Sequence, residues 1–268
     1  MKLSLYTFVK DGLFYDFHVV AMLKHHLRLA DEIVVNEGHS SDGTYDAIKD
    51  IDPRIRIIRN HLDRSEPKAW LRKAKDQARR ACTGDWCILM DCDEFIPEWE
   101  FDRLRRHLEG CEKHVLSARY RHFHGNYKVF YENPDRPFPP PLKRIIHRNR
   151  DDVEIIGDGS DVTIPALGED AEDHSVTFEC HHFGEVRLPS RLRQKWHIQQ
   201  HRDINNRWSW LPRFLFDLRP HNWLDPEIVP YLKTYDGPFV EAVRLDPDEF
   251  VRDGFQLYRR LARRGQPT

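Results

Sequence analysis

The stretch that decides the fold is Gly84–Phe95, which reads GDWCILMDCDEF. Its first part, Trp86–Met90, is a continuous apolar run, which is typical of a short inner strand covered on both faces of a parallel sheet. The run leads directly into the carboxylates of Asp91, Asp93 and Glu94. Because unpaired buried charge is unfavourable, acids at the end of a core strand are predicted to form a site. The alternative is an acidic turn that caps the next helix.

The position and chemistry of these acids indicate the kind of site. Open α/β sheets bind their ligands at the carboxyl ends of their strands. Carboxylate oxygens are hard ligands that suit Mg²⁺ or Mn²⁺, and such ions typically complete their coordination with water and substrate phosphates. The first hypothesis is therefore a metal-assisted enzyme that handles a nucleotide.

Length and composition exclude several other classes. The 268 residues suffice for one sizeable α/β domain with an appended lobe. With 42 basic and 44 acidic residues the net charge is −2, so no strong field for nucleic acid is expected. No stretch has the length of a membrane span, and the beginning of the chain lacks the layout of a signal peptide. Five cysteines without a Cys-x-x-Cys pair favour reduced thiols in the cytoplasm.

Strand and helix patterns alternate four times in the first 90 residues, which is typical of a parallel, doubly wound sheet. Turn and capping residues at 36–44 separate the second strand from the next helix. The strands are predicted at Leu3–Val9, Glu32–Val35, Arg54–Arg59 and Trp86–Met90, and the helices at Phe14–Leu29, from Tyr45 through Ile48, and at Ala69–Ala81.

The alternation stops after Phe95. A proline-rich loop at Asn133–Pro141 marks the seam between two halves, because it suits neither a helix nor an inner strand. In this part of the chain, helices are predicted at Phe101–Leu108, at Arg191–His201 and from Asp246 to near Arg264, and strands at Val115–Phe123, Lys143–His147, Val153–Ile156 and Val176–Cys180.

Three motifs, taken in order, resemble those of the family 2 glycosyltransferases, which have the GT-A fold. The motifs are Ile33–Gly38 (IVVNEG) followed by Ser41–Thr44 (SDGT), Lys75–Ala78 (KDQA) leading to Ala81–Trp86 (ACTGDW), and Asp91–Phe95 (DCDEF), which matches the Asp-x-Asp of the family with a Glu-Phe extension seen in some branches. The likeness is good over residues 1–100 and looser beyond.

The resemblance implies a fold and a division of labour. It predicts an α/β protein with a Rossmann-like, mostly parallel sheet flanked by helices and a C-terminal helical lobe that binds the acceptor. Residues 1–131 would form the half that binds nucleotide sugar and metal, and residues 132–268 the acceptor half, within one continuous catalytic domain. The residues implied for the nucleotide sugar are Thr7, Val9, Lys10, Asn36, Glu37, Lys75, Asp91 and Glu94.

The chain departs from the family pattern at four of these motif positions. Asn36 and Glu37 replace paired aspartates, Lys75 replaces an arginine, and Asp76 replaces an asparagine. Glu37 can still accept a hydrogen bond from a base or ribose, and Lys75 can still meet a phosphate as a point charge. The departures leave the fold prediction intact but leave the identity of the nucleotide open.

By the same resemblance, Asp93 ligates Mn²⁺ or Mg²⁺ directly, and Asp91 contacts the ribose or a metal-bound water, or joins the metal ligands. Glu94 orients the donor sugar or caps the following segment. His182, in the run Cys180–Gly184 (CHHFG), is the best candidate for a late metal ligand, ahead of His181. The competing interpretation is structural histidines in a chain that has 16 of them.

Inverting transfer needs a carboxylate that takes the proton of the acceptor hydroxyl. The segment from Lys143 to Val162 resembles family segments that end in a His-Glu pair, which puts Asp161 at the position of the acid with Asp158 close behind. Because Gly157–Ser160 is rich in turn residues, an ordinary acidic turn is the competing interpretation.

The implied partners are a donor linked to UDP, GDP or dTDP and a glycan or lipid-linked acceptor, as in the synthesis of a surface polysaccharide. A cluster of four tryptophans (Trp196, Trp208, Trp210, Trp223) fits a sugar-binding wall, or more often the core of a lobe. The basic stretch Arg187–Arg202 suits a diphosphate, an anionic acceptor or a solvated helix face. The basic end, Arg259–Arg264, suits contact with an anionic membrane at its cytoplasmic face.

Two other functions compete with sugar transfer. A phosphatase with an Asp-x-Asp motif would carry it on the first strand, with Thr or Val where this chain has Phe95. The sequence therefore disfavours that class. A GT-A-like domain that binds nucleotide or glycan without turnover is suggested by Asn36, Glu37 and Lys75, whereas the intact pair Asp91 and Asp93 argues against it.

Overall fold

A computed structural model describes residues 1–60, 69–133, 141–187, 191–192, 195 and 229–247. Within these residues the chain forms a ten-stranded mixed sheet, a separate two-stranded sheet and helices that pack on the large sheet. The α/β class predicted from the sequence is confirmed.

The N-terminal half is the parallel, Rossmann-like part of the sheet. Its strands lie in the order β3-β2-β1-β4, and every neighbouring pair in this order is parallel. The elements are β1 (Leu3–Val9), α1 (Val19–His26), β2 (Glu32–Glu37), α2 (Thr44–Ile48), β3 (Ile55–Ile58), α3 (Trp70–Arg80) and β4 (Trp86–Leu89).

Mostly apolar strands explain this half. All seven residues of β1 and all four of β4 are buried, as expected for inner strands covered on both faces. Ala74 and Ala78 give α3 a small-residue face toward the sheet, and the Ala74 carbonyl accepts a hydrogen bond from Asn36 Nδ2 at 2.8 Å. The helix therefore packs close to the end of β2.

The C-terminal half continues the same sheet with a different pattern. Strand β8 pairs antiparallel with β4 and β6, β7 pairs antiparallel with β6 and β12, and β11 runs parallel to β6. The elements are β5 (Glu94–Phe95), α4 (Phe101–Gly110), β6 (Val115–His124), β7 (Asn126–Tyr131), β8 (Leu142–Arg148), β9 (Glu154–Ile156), β10 (Asp161–Thr163), β11 (Glu172–Glu185), β12 (Leu232–Thr234) and α5 (Glu241–Leu245).

Strand β11 is much longer than the predicted Val176–Cys180. It extends from Glu172 to Glu185 because it pairs with β6 along one edge and with β5 at its far end. In that second pairing His182 lies opposite Glu94. The extension therefore brings a late histidine to the acidic motif.

One helix start was predicted wrongly and another correctly. Helix α1 begins at Val19 rather than Phe14, because residues 11–16 form turns in which Asp11 and Asp16 have φ of 50° and 60°. Helix α5 ends at Leu245, and the helix expected after Asp246 does begin at Pro247, with Asp246 in the cap position. The remainder of that helix, most of the helix predicted at 191–201, the tryptophan cluster and residues 134–140 lie outside the described residues.

Two further observations concern the cysteines and the helices. All five cysteines are buried free thiols, in agreement with the prediction of reduced cysteines. In the described part of the chain, no helix has both the length and the apolar character needed to cross a membrane.

Gly84 offers a test of how tightly β4 is placed against β1. A Cβ at Gly84 would lie 2.8 Å from the Ser4 nitrogen and 2.9 Å from the Lys2 carbonyl oxygen. Backbone atoms cannot move aside easily, so Gly84→Ala is expected to lower the free energy of unfolding by about 1–3 kcal/mol. Urea denaturation would measure the change.

Gly110→Ala is the matched control. A Cβ at this position has no neighbour within 4 Å, so the free energy of unfolding should change by less than about 1 kcal/mol. Equal stability of the Gly84→Ala variant and the wild type would contradict the proposed close approach of β1 and β4.

Candidate functional site

The predicted acidic site lies at the carboxyl edge of the parallel strands. Strands β1, β2 and β4 are parallel and end at Val9, Glu37 and Leu89, so their carboxyl ends share this edge. After β4 the chain turns through residues 90–93 into β5. The Asp93 carbonyl accepts a hydrogen bond from the Phe183 N–H at 2.8 Å, which ties this turn to β11.

Asp93 is a buried carboxylate with cationic partners on one oxygen. Its Oδ2 accepts a hydrogen bond from Arg187 Nη2 at 2.7 Å and lies 3.4 Å from Lys195 Nζ. Arg187 is itself completely buried, donates from Nη1 to the Tyr15 carbonyl at 2.8 Å, and stacks on the Phe17 ring at 4.6 Å. Asp93 is therefore held by Arg187, whose guanidinium is itself fixed by the Tyr15 carbonyl and the Phe17 ring.

These neighbours determine the ionisation of Asp93. Burial would raise the pKa of its carboxyl, but Lys195, His182 and Arg187 together hold that pKa well below the usual range. Burial, together with Arg187, lowers the pKa of Lys195. Asp93 is thus an anion across the physiological pH range.

His182 faces the other oxygen of Asp93. Its Nε2 lies 3.6 Å from Asp93 Oδ1, and its Nδ1 lies 2.9 Å from Nδ1 of His122. Burial lowers the pKa of His182 well below its usual value, so the ring is neutral near pH 7. A hydrogen bond between two Nδ1 atoms requires one ring to donate. When His182 donates, its Nε2 presents a lone pair toward Asp93.

Asp91 is the more exposed member of the motif. About a third of its side chain is accessible, and its Oδ1 forms an ion pair with Lys75 Nζ. Lys75 is almost completely buried and also donates to the Gly159 carbonyl at 2.7 Å. Lys75 therefore links the acidic motif to the loop before β10.

Glu94, the third acid of the motif, is buried. Its Oε2 accepts a hydrogen bond from the Asp91 N–H at 2.9 Å, and its Oε1 lies 3.2 Å from Lys143 Nζ. Lys143 lies over the Tyr120 ring at 4.2 Å. Burial raises the pKa of Glu94, and the lysine opposes that rise only in part. The contacts of Glu94 hold the Asp91 turn in place.

The donor set around Asp93 fits a divalent cation. Ligand bonds of about 2.1 Å put neighbouring octahedral ligands about 3.0 Å apart, so the 3.6 Å between Asp93 Oδ1 and His182 Nε2 needs only a small adjustment. A Cβ on Gly184 would clash with the His182 imidazole, so glycine is required for the ring to lie here. Carboxylate and neutral imidazole together suit Mn²⁺.

The predicted residues on β1 have structural contacts. The Thr7 hydroxyl lies 3.6 Å from Cys92 Sγ, and the Val9 carbonyl accepts a hydrogen bond from Gly38 N–H at 2.8 Å. Lys10 donates to the His39 carbonyl at 2.9 Å and remains partly exposed. These contacts join β1 to the turns after β4 and β2, so nucleotide binding by these residues stays a prediction.

Asn36 and Glu37 are both completely buried. Asn36 Nδ2 donates to the Ala74 carbonyl and to Gln77 Oε1, each at 2.8 Å. Glu37 accepts hydrogen bonds from Ser40 N–H at 2.6 Å and Arg59 Nε at 2.7 Å. Both side chains thus brace the end of β2, and their contact with a nucleotide remains a prediction.

The two candidate bases lie in and beside the two-stranded sheet. Asp161 forms a two-pronged ion pair with Arg144, with N–O distances of 3.1 and 2.9 Å. Asp158 is exposed and accepts a hydrogen bond from Ser160 Oγ at 2.6 Å. Both carboxylates flank Gly159, the residue whose carbonyl binds Lys75. The loop is joined to the acidic motif, while a role of either acid in catalysis stays untested.

Several residues of the site were missed in the sequence. Lys143 and His122 lie within strands that were predicted, but no role was assigned to either side chain. Arg187 and Lys195 belong to a basic stretch that was given several interpretations. The sequence could have predicted a buried cation here, because three carboxylates at the end of a core strand require compensating positive charge.

Arg187→Met tests whether Asp93 depends on its cationic partner. The substitution leaves a buried anion with only the more distant Lys195, so the free energy of unfolding is expected to fall by about 3 kcal/mol. Urea denaturation at neutral pH would measure it. Adding Asp93→Asn removes the uncompensated charge and should restore part of the loss.

Arg244→Met is the control for this experiment. Arg244 is mostly exposed and pairs with Glu98 at the surface, so its loss should cost less than about 1 kcal/mol. Similar losses in the Arg187→Met and Arg244→Met variants would show that the Asp93 contact is no more important than a surface ion pair.

Solved structures provide distant likenesses. TarS 1-349 from S. aureus in complex with UDP-GlcNAc is 12% identical over 81% of this chain and 70% of that chain, with a TM-score of 0.47. Glucosyl-3-phosphoglycerate synthase from Mycobacterium tuberculosis, in complex with Mn²⁺, UDP and glucosyl-3-phosphoglycerate, is 16% identical over 75% and 79%, also with a TM-score of 0.47. We infer nothing about substrates from likenesses at this level.

The family comparison is more extensive. No curated protein matches the chain. The family model described as glycosyl transferase family 2 matches residues 19–161, which is more than half of the chain and includes the motifs from Ile33 to Phe95. The family and the enzyme class predicted from the sequence are confirmed, and the α/β architecture agrees with the predicted GT-A fold. The chain belongs to glycosyl transferase family 2 and is a glycosyltransferase.

Proposed function

We propose that this enzyme transfers a sugar from a nucleotide-diphosphate sugar to a hydroxyl group of a glycan or lipid-linked acceptor, with Mn²⁺ or Mg²⁺ as cofactor. The observation that carries the proposal is the 3.6 Å approach of Asp93 Oδ1 and His182 Nε2 at the carboxyl edge of the parallel strands, two residues along the chain from Asp91. Asp93 Oδ1 and His182 Nε2 are the proposed metal ligands, and Asp91 contacts the ribose or a metal-bound water.

The charge of the site supports a diphosphate ligand. Four cationic side chains surround the three carboxylates of the motif: Lys75, Lys143, Arg187 and Lys195. These cations offer partners for an anion, and a divalent cation would add positive charge. When bound, that cation stabilises the charge that develops on the diphosphate leaving group.

Each side chain near the motif then has a defined task. Arg187 keeps Asp93 ionised and in one orientation through a 2.7 Å hydrogen bond. His122 Nδ1 accepts a hydrogen bond from the Nδ1–H of His182, and this tautomer has a lone pair on His182 Nε2. Lys75 orients Asp91, and Glu94 fixes the backbone of the same residue. Fixed donors and acceptors of this kind lower the reorganisation needed during transfer.

The proton acceptor is assigned to the loop that holds Asp158 and Asp161. The carbonyl of Gly159 in this loop accepts a hydrogen bond from Lys75, which itself pairs with Asp91. A base in this loop would take the acceptor proton next to the donor site, as an inverting displacement requires. Asp161 must loosen its ion pair with Arg144 to act, whereas Asp158 is already exposed.

The reaction is placed in the cytoplasm. Five buried thiols without a disulfide favour a reducing compartment. Contact of the basic segment Arg259–Arg264 with an anionic membrane is a further part of the proposal, and that segment lies outside the described residues.

Calorimetry with UDP, GDP and dTDP, each with and without Mn²⁺, tests the proposed donor and metal. One nucleotide is expected to bind, and Mn²⁺ should strengthen its binding. In the Asp93→Asn and His182→Gln variants the effect of Mn²⁺ should fall at least about tenfold, because each loses a metal ligand. Asp50→Asn, an exposed acid far along the chain from the motif, is the control and should bind like the wild type.

The outcomes separate three accounts of the site. If a nucleotide binds equally well with and without Mn²⁺, the metal role is overturned. Arg187, Lys195 and Lys75 would then hold the diphosphate without a metal ion. Binding without turnover of any sugar nucleotide would favour a domain that has lost its chemistry. Failure of all three nucleotides to bind would contradict the proposed donor class.

Replacing the candidate bases tests the proton acceptor. One of the two variants, Asp161→Ala or Asp158→Ala, is expected to lower kcat about 100-fold or more, because it lacks the base. The KM for the donor should change little, because the base removes a proton from the acceptor. Added formate should restore part of kcat in the variant that lacks the base. An undiminished kcat in both variants would place the base elsewhere.

A further inference from the structure

A second group of metal-ligating side chains lies at the opposite end of β11 from His182. It consists of His107 on α4, Cys111 just after that helix, and Asp173 near the start of β11. On the parallel neighbour β6, Asp173 lies opposite Leu116 and His182 opposite His122, a span of six residues that corresponds to roughly 20 Å. The group is therefore separate from the proposed transfer site.

The three side chains converge on a single oxygen. Asp173 Oδ2 lies 2.8 Å from His107 Nε2 and accepts a hydrogen bond from the Cys111 thiol at 3.5 Å. All three ligand atoms lie within 4.8 Å of one another. The second oxygen, Asp173 Oδ1, is occupied by the N–H and hydroxyl of Ser175 at 2.9 and 2.6 Å. Ser175 thus fixes the carboxylate with Oδ2 directed at the other two ligands.

The local sequence explains the convergence. His107 and Cys111 are four residues apart, so they lie on the same face at the end of α4. The helix ends at Gly110, and Cys111 has extended backbone with φ −74° and ψ 122°, which turns the chain toward β6. Cys111 is buried, whereas about a quarter of the His107 side chain is accessible. The group is open to solvent on one side.

These distances match those of a tetrahedral zinc site. With bonds of about 2.3 Å to sulfur and about 2.0 Å to nitrogen and oxygen, neighbouring ligands lie about 3.3–3.5 Å apart. The 3.5 Å from Cys111 Sγ to Asp173 Oδ2 already has this value, and His107 Nε2 would move away from Oδ2 by about half an ångström. A thiolate, an imidazole and a carboxylate are all zinc ligands, and the thiolate disfavours Mg²⁺.

We propose that His107, Cys111 and Asp173 bind Zn²⁺, with water at the fourth position on the solvent side. The ion would tie the end of α4 to the start of β11, the strand whose other end carries His182. Binding removes the thiol proton of Cys111 to solvent and leaves the proton of neutral His107 on Nδ1. Lys113 and Arg148 are the nearby cations, and their side chains donate to the carbonyls of Asp170 and Cys111.

Substitution with Co²⁺ tests this site in the full-length, reduced protein. Cobalt bound to a thiolate gives a near-ultraviolet charge-transfer band, which a site built from Asp93 and His182 cannot give. The band is expected in the wild type and in Asp93→Asn, and Zn²⁺ should displace it stoichiometrically. It should be absent in Cys111→Ser and retained in Cys82→Ser, whose substituted cysteine lies elsewhere.

A second measurement guards against loss of fold in the variants. In wild type, Zn²⁺ should raise Tm, and the increase should disappear in Asp173→Asn and in His107→Ala, with apparent Zn²⁺ affinity at least about tenfold lower. Circular dichroism would show that each variant is folded. Absence of the cobalt band in folded wild type, or an unchanged band in Cys111→Ser, would leave these residues as a hydrogen-bonded cluster and overturn the proposal. The Asp93→Asn variant lacks a ligand of the proposed transfer site and keeps all three ligands of the zinc site. The two proposals can therefore fail independently.

Discussion

The hydrogen bond between Arg187 and Asp93, both buried, is the interaction on which the site depends. An aspartate at the end of a core strand is unfavourable unless a cation accompanies it, and Arg187 supplies that cation at 2.7 Å. To reach Asp93, the chain must complete β11 and then continue past Glu185. The requirement for charge compensation thus couples the acidic motif of the first half to the last long strand of the second.

The two halves of the sheet have different tasks. The parallel half places the carboxyl ends of β1, β2 and β4 at one edge, and the second half brings cations and histidines to that edge on β6, β8 and β11. Asn36 and Glu37 both hold the end of β2 in place through buried hydrogen bonds. Contact of either side chain with a nucleotide would require these hydrogen bonds to rearrange.

Much of the fold could be predicted from the sequence because it rests on local patterns. Apolar runs such as Trp86–Leu89 form strands wherever they are covered, and α3 follows its helical periodicity. The start of α1 could not be predicted, since positive φ at Asp11 and Asp16 depends on tertiary contacts. Likewise, the length of β11 depends on β5 and β6, and the partnership of Asp93 with Arg187 spans 94 residues of sequence.

The central claim is that Asp93 Oδ1 and His182 Nε2 share one divalent cation while Arg187 holds the other oxygen of the aspartate. Anomalous diffraction from crystals grown with Mn²⁺ and the nucleotide that binds best would test it most directly. The account predicts a manganese peak at bonding distance from both atoms, with the Arg187 hydrogen bond retained. A manganese peak away from Asp93 would contradict it. So would a nucleotide-bound structure without manganese at this place, in which Lys195 lies between Asp93 and His182.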